Sequence, residues 1–341
     1  MAPQPTDYLQ ADRFMRSAIE SRALLSAIRG GLIRRILERD GTDEADAAAV
    51  LRCPGFGATA VLALLAQAGV TRQDARGRST LTAEFTRALP YLDLIETKLD
   101  LAVAVASDFF ENFDLFLRSP EDFQHRARLF EIFNYGDCLS TTPLALAGAA
   151  KWVKYTTLLT RYEAAACALE YEFGRHHRML DLGGNSGEFG IQLARRYEDL
   201  QVLVADLPAV CEIGRRHVDA QGLGGRIGFV DWDLRADDPP RGFDLITFKS
   251  LLHDWPDATV VSLLAKARQA LEPGGSVLIF ERQRWNLSER PWGFGDLPVL
   301  LFYHCYRQAE QYRVWLARAG FTDIRLRIVP LEVDFMLIDA R

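Results

Sequence analysis

No apolar run in the sequence reaches the ~18 residues of a membrane span: 101–106 is soon broken by Asp108, and 260–271 carries Lys266 and Arg268. The N-terminus has neither a basic segment followed by an apolar one nor an Arg- and Ser-rich transit pattern, so a soluble, cytoplasmic protein is expected. Cysteine is scarce and scattered. Cys53, Cys138, Cys167, Cys211 and Cys305 are odd in number and form no CxxC pair, which signals neither a disulfide framework nor a thiolate zinc site and leaves buried free thiols. Positive charge is also in deficit. With 40 Lys and Arg against 46 Asp and Glu, the net charge of −6 offers no footprint for nucleic acid or an anionic membrane. What remains is ordinary globular composition, 49% hydrophobic and 25% charged over 341 residues, enough for two domains with full cores.

Up to about residue 170 the chain reads as successive helices. Within it, helices at 23–39, 43–52 and 57–68 precede a polar turn at 72–78 flanked by short extended segments at 69–70 and 79–81, the order of a winged helix-turn-helix. DNA binding is the reading that order first suggests. Against it, residues 1–100 hold thirteen Lys/Arg and thirteen Asp/Glu and no basic third helix, so dimerisation or packing is the expected role. From Arg178 the pattern changes to short apolar runs alternating with helices, the mark of a parallel α/β sheet covered on both faces. Strands are expected at 178–182, 202–205, 227–230, 245–248, 276–280, 323–328 and 332–338, and helices at 188–198, 209–221, 256–271 and 309–319. Asp254 is a candidate cap for the third of these helices, and 273–275 (Pro-Gly-Gly) stops it. The helical stretch 151–173 is expected to tie the two parts together.

Residues 179–188 (Met-Leu-Asp-Leu-Gly-Gly-Asn-Ser-Gly-Glu) run from a buried strand through a glycine turn into a helix, placing a ligand at the carboxyl edge of the sheet. The spacing is not GxGxxG, since Asn185 and Phe189 stand where glycine is needed, and no GK[ST] follows; dinucleotide and triphosphate readings drop, and with them a nicotinamide oxidoreductase. Asp206 ends the next strand, where a carboxylate can accept both hydroxyls of a ribose; the plain alternative is a tight turn plus a capping Asp before Pro208.

The combination says more than its parts. Asp181-x-Gly-Gly, Asp206-Leu-Pro, Asp233-Leu234, Lys249-x3-His253-Asp254-Trp255 and Glu272-Pro-Gly-Gly fall in order at successive strand ends. The sequence resembles class I S-adenosylmethionine-dependent methyltransferases of the plant and bacterial small-molecule O-methyltransferase type, over nearly its whole length. The resemblance implies an α/β fold: a Rossmann-like domain at 173–341 that binds S-adenosylmethionine, preceded by an all-α winged-helix dimerisation domain at 1–105 and a helical linker and substrate-pocket region at 106–172. It implies a homodimer formed through the N-terminal domain and a small-molecule substrate. Asp181, Gly183, Gly184 and Gly187 would line the methionine end and the loop, Asp206 and Leu207 the ribose, and Asp233 and Leu234 the adenine, with Lys249 near the cofactor's polar end. Asn185 stands where the family usually has glycine.

The family's His-Asp-Trp histidine takes a proton from a substrate hydroxyl as the methyl transfers, a task imidazole suits. His253 is therefore the expected base, with Asp254 orienting its ring; on a purely structural reading Asp254 only caps a helix. The family's Gly-Gly-x-Glu-Arg-Thr segment, which brings a carboxylate to that histidine, is missing from 300–312, where His304 and Arg307 stand instead. Read as a helix, that stretch sets them on adjacent faces. If His304 converges on His253 and Asp254, two imidazoles and a carboxylate make a ligand set for iron or zinc. Such an ion would chelate a 2-oxo acid and stabilise its enolate for attack on the methyl, as in the resembled α-keto-acid C-methyltransferase branch. That makes metal-assisted C-methylation the leading expectation, O-methylation of a phenol or enol the alternative, and a winged-helix regulator the rival from another class.

Arg126 and Arg128 could clamp a substrate carboxylate, with Arg307 nearby, or simply form a solvated helix face. Phe109, Phe110, Phe113, Phe116, Phe133 and Tyr135 supply aromatic surface for a pocket wall or for core. His125, His176, His177 and His217 read as surface or helix-end residues.

Overall fold

The computed structural model describes residues 4–14, 18–128, 133–289 and 292–341. The chain forms two compact units, Met1–Arg128 with Asn286–Leu301, and Leu129–Trp285 with Phe302–Arg341. The stretch 151–173, expected to tie the two parts together, falls mostly on the helix Pro143–Glu170, which lies inside the second unit.

In the first unit the expected helix 23–39 is two, Ala18–Arg29 and Leu32–Glu38, because Gly31 takes a left-handed φ of 80° that ends one helix and starts the other. Glu44–Leu51 follows, its N-terminus capped by the Asp43 carboxylate accepting the Asp46 N–H at 2.8 Å, and then Gly55–Gln67. Strands β1 (Thr71–Gln73) and β2 (Ser79–Leu81) pair antiparallel across the polar turn and form the wing. Leu24, Leu32, Leu65, Phe85 and Leu99 are fully buried at the centre of this unit, each worth about 1.5–3 kcal/mol of burial. The 27-residue helix Leu92–Arg118 bends at Asn112, and Phe294 and Leu297 of the returning segment pack on its Ala102 and Ala106.

The second unit is built on a seven-stranded sheet in the order β5-β4-β3-β6-β7-β9-β8. Its strands are β3 (Arg178–Leu182), β4 (Gln201–Asp206), β5 (Ile227–Asp231), β6 (Phe243–Lys249), β7 (Leu271–Arg282), β8 (Ile324–Pro330) and β9 (Asp334–Ala340). The first five run parallel, and β9 enters antiparallel between β7 and β8. Two apolar layers cover the faces, one holding Leu180, Phe248 and Ile279, the other Met179, Leu245 and Phe280, as alternating side chains of the same strands require. Strand order reverses beside β3, so the crevice for a ligand opens at the carboxyl ends of β3, β4 and β6.

Every expected strand is present, with β7 the most extended. Leu271 pairs with Phe243 before the Pro-Gly-Gly turn, and Glu281 and Arg282 stay in the sheet opposite Met336 and Phe335. The helix Asp257–Ala270 is preceded by Pro256 at its cap position; Asp254 does not cap it, because its side chain is engaged elsewhere. All five cysteines are free thiols; Cys138, Cys167 and Cys211 are buried, and burial pushes Cys138 up to about 11 and Cys211 to about 12, which removes them as nucleophiles.

Candidate active site

The glycine loop sits where β3 feeds the helix Glu188–Arg196. Gly183 has a φ of 66°, and a Cβ there would meet Leu251 Cδ1 at 2.7 Å; Gly187, at 76°, is the residue from which the helix starts. Asn185 takes a φ of 57°, so the one departure from glycine uses the residue type that best tolerates the left-handed region. Its side-chain oxygen accepts the Ser186 N–H at 2.7 Å, and its own N–H donates to Asp206 Oδ2 at 2.8 Å, linking the loop to the end of β4.

A cleft of about 1030 Å³ opens beside this loop, lined by Asp181, Asp206, Leu207, Asp233, Leu234, Lys249 and Asp254 among others. Asp181 is buried with Oδ1 accepting the Thr247 hydroxyl at 2.6 Å, and burial pushes its carboxyl up to about 7. Asp206 accepts the N–H of Leu207 and of Asn185, yet burial still lifts it to about 6. Asp233 accepts from Arg235 Nε and Nη2, both at 2.8 Å, and this pairing holds it below the usual carboxylate range. Lys249 donates to Thr160 Oγ1 at 2.8 Å and pairs with Glu163, which also takes Arg282; Arg282 in turn reaches Glu332 at 2.7 Å. Two acids and two bases thus form a closed, buried, charge-balanced row at one side of the cleft.

Among the described residues, four polar atoms that line the cleft are buried without a hydrogen-bond partner: Asp181 Oδ2, Trp232 Nε1, Ser250 Oγ and Trp255 Nε1. Each such atom costs about 1–3 kcal/mol. Ser250 adds a φ of 51°, uncommon for a residue with a Cβ. A site lined by these atoms is shaped for a ligand with several polar groups.

Next to the cleft, the turn Leu252–Asp254 at the end of β6 presents His253. Its Nδ1 lies 2.7 Å from Glu281 Oε2, and because a carboxylate only accepts, Nδ1 carries a proton and Nε2 is the basic nitrogen of the neutral ring. Glu281 is fully buried at the end of β7, and its other oxygen accepts the N–H of Leu251 at 2.8 Å and of Leu252 at 2.7 Å. On the far side, Asp254 Oδ1 stands 3.3 Å from Nε2 while Oδ2 accepts the Tyr135 hydroxyl at 2.9 Å. Burial disfavours the charged imidazole, but Asp254 and Glu281 outweigh it and raise the His253 pKa above its ordinary value. The rings of Tyr306 and Phe302 flank it at centroid distances of 5.2 and 6.3 Å.

Residues 157–322 match the O-methyltransferase domain family. Among curated relatives, the 3-hydroxy-5-methyl-1-naphthoate 3-O-methyltransferase of Streptomyces sahachiroi is 36% identical over 174 residues, covering 50% of this chain and 49% of that enzyme. The O-demethylpuromycin-O-methyltransferase of Streptomyces alboniger is 27% identical over 88% of this chain and 81% of its own length. The chain spans about half the length of the first of these relatives. Human N-acetylserotonin methyltransferase, solved in complex with S-adenosylmethionine, shares the fold with a TM-score of 0.65 at 19% identity, over 95% of this chain and 94% of that one.

Within the matched residues the positions expected to hold the cofactor come together: Asp181, Gly183, Gly184, Asp206, Leu207, Asp233, Leu234 and Lys249 all line one cleft, with Gly187 at the helix start behind it. The expected metal set does not. His304 is exposed, its carbonyl holds Arg284 at 2.7 Å, and its ring lies against Tyr303. Among the described residues, no three His, Cys, Asp or Glu side chains are grouped to hold an ion, so iron or zinc does not fit this donor set. The reason is local: 302–306 is a string of turns rather than the helix assumed, and Arg307 bridges to Gln283 beside β7.

Arg307 is buried and does not stand ready for substrate. It donates to Leu252 O at 2.9 Å, to Trp255 O and to Asp257 Oδ1 at 2.9 Å, clasping the His253 turn from behind. Arg128 is taken by Asp108 at 3.2 Å with Ser107 and Glu111, and Arg126 is exposed at the end of the helix Pro120–Arg126, as a solvated helix face requires. Phe109 and Phe116 pack with Phe123 as core of the first unit, whereas Phe133 and Tyr135 stack on Trp152. His176 is buried against Tyr171 and His217 contacts Glu188 at 2.6 Å, so neither is the simple surface residue expected. Glu281, Glu163 and Arg282 are site residues that sequence reasoning does not single out, whereas Tyr135, expected as aromatic pocket wall or core, does line the cleft.

Proposed function

We propose that the protein transfers a methyl group from S-adenosylmethionine to a hydroxyl of a small molecule, with His253 as the general base. The observation that carries this reading is the His253–Glu281 pair, which leaves a basic Nε2 beside a carboxylate-rich cleft. It agrees with the O-methyltransferase names of the relatives and with the cofactor bound in the human enzyme of the same fold. When bound, S-adenosylmethionine supplies an electrophilic methyl on a positively charged sulfur. Asp206 would accept the ribose hydroxyls, Leu234 would pack on the adenine, and the buried acids would favour the positive charge. His253 Nε2 takes the hydroxyl proton as the oxygen–methyl bond forms and the sulfur–methyl bond breaks. Glu281 holds the ring in the needed tautomer and stabilises the imidazolium that results.

C-methylation of a 2-oxo acid through a metal rests on His304 and on a fork of Arg126 and Arg128; the exposure of His304 and the pairing of Arg128 with Asp108 favour proton abstraction by His253 instead. For the first unit we propose self-association rather than DNA contact. Its balanced charge argues against a duplex, and Val103, Phe110, Phe113 and Leu117 of the helix Leu92–Arg118 are large apolar side chains left exposed.

The test is a cofactor-saturated assay of the purified chain against phenols, enols, hydroxylated aromatic acids and 2-oxo acids, read by mass and by the position of the new methyl. Methyl on oxygen, lost in His253→Ala with cofactor binding retained, supports the reading. Methyl on carbon, or full turnover in His253→Ala, overturns it.

A further inference from the structure

We propose that Tyr135 is a positioning residue for methyl transfer, its hydroxyl holding Asp254 so that the other carboxylate oxygen stays beside Nε2 of His253. The inference rests on the reading of His253 as base. Tyr135 reaches Asp254 across 119 positions of sequence, donating to Oδ2 at 2.9 Å while Oδ1 stands 3.3 Å from the imidazole. Both side chains line the cleft, so the bond spans its wall rather than lying in the core behind it.

The hydroxyl has a defined support. Tyr135 opens the short turn Tyr135–Leu139, which is seated by an apolar cluster of Cys138, Trp152, Val153, Ala209 and Val210, and its ring meets Trp152 edge-on at 5.5 Å. Leu207, the residue after the proposed ribose carboxylate, packs on that same cluster. One small body therefore touches both the cofactor side of the cleft and the carboxylate next to the base.

Among the described residues the phenol is the hydrogen-bond donor to Asp254 Oδ2, and without it one turn about the terminal bond would swing Oδ1 off the imidazole. Burial raises the Asp254 pKa above its ordinary value, and the Tyr135 hydrogen bond, like the neighbouring His253, works against that rise and so favours the anion. The imidazolium formed during proton transfer then meets a fixed negative charge on its substrate-facing nitrogen, while Glu281 holds the other.

Tyr135→Phe removes the oxygen and keeps the ring on Trp152. A hydrogen bond to a charged group predicts that kcat falls about 10- to 100-fold, whereas the Kd for S-adenosylhomocysteine by calorimetry and the KM for S-adenosylmethionine stay within about twofold, since packing is preserved. A crystal structure of the variant is expected to show Asp254 Oδ1 turned away from His253 Nε2. Either an unchanged kcat or an Asp254 that keeps its place overturns the proposal. If the wild-type protein methylates no hydroxyl at all, the reading of the function fails separately, and the position of Asp254 in the variant still decides whether Tyr135 holds it.

Discussion

Glu281 Oε2 lies 2.7 Å from His253 Nδ1, and the same carboxylate accepts the backbone N–H groups of Leu251 and Leu252. One side chain thus sets both the tautomer of the ring and the path of the turn that carries it.

Glu281→Gln is the sharpest test of that arrangement. An amide can satisfy the two backbone donors with its oxygen only by turning its NH2 toward Nδ1, which forces the proton onto Nε2 and blocks the base. We expect kcat to fall by roughly 10²–10⁴, with the Kd for S-adenosylhomocysteine held within about twofold, because the amide stays clear of the cleft. Steady-state kinetics and calorimetry on the same preparation check both.

Cofactor binding should expel protons. Asp181 and Asp206 are held up at about 7 and about 6, above the ordinary ~3.9 of a carboxylate, so the folded chain binds more protons than the unfolded one between those limits. Their effect on stability is therefore unfavourable as pH rises from about 4 through 7 in the ligand-free protein. Ribose hydroxyls and a cationic sulfur prefer the ionised forms. Affinity for S-adenosylmethionine should rise with pH up to about 7, with proton release read from binding heats in two buffers of different ionisation enthalpy. A pH-independent affinity from 5 to 8, without proton release, contradicts this.

Asn185 offers a test confined to the loop. Asn185→Gly should leave stability within about 1 kcal/mol, because glycine adopts the same left-handed backbone. Asn185→Ala should cost about 1–2 kcal/mol more than glycine, since both lose the acceptor of the Ser186 N–H but only alanine resists that φ. Chemical denaturation with a constant slope resolves the two.

Arg307 and His304 should behave in opposite ways. Arg307→Lys removes a fork that binds two carbonyls of the His253 turn, and we expect about 2–4 kcal/mol lost, with activity falling alongside. His304→Ala should leave kcat within about twofold, with or without chelator. A chelator-sensitive activity that depends on His304 would restore the metal reading.

Much of this site could be read from sequence because its parts are local. A buried strand, a glycine turn and a helix specify where Asp181 sits, and Asp206, Asp233 and Lys249 follow from strand ends counted along the chain. Glu281 was hidden by a different kind of distance. The family pattern places the supporting carboxylate after residue 300, whereas the one present here ends the neighbouring strand; parallel pairing of Lys249 with Phe280 puts Glu281 beside the turn that holds His253. That signal was available once β6 and β7 were taken as neighbours. The bond from Tyr135 to Asp254 has none, since 119 positions holding several helices and strands separate the two residues and no period links them. His304 and Arg307 were misplaced by one assumption, that an apolar stretch is helical throughout, when turns at 302–306 aim the two side chains differently.

The excursion of Asn286–Leu301 into the first unit has a practical meaning for recombination. A fragment ending at Arg128 leaves behind Phe294 and Leu297, and so bares Ala102 and Ala106 on its longest helix. Exchanging the N-terminal body with that of a relative therefore requires grafting two stretches of chain at once, and a chimera joined at a single crossover inherits a mismatched patch.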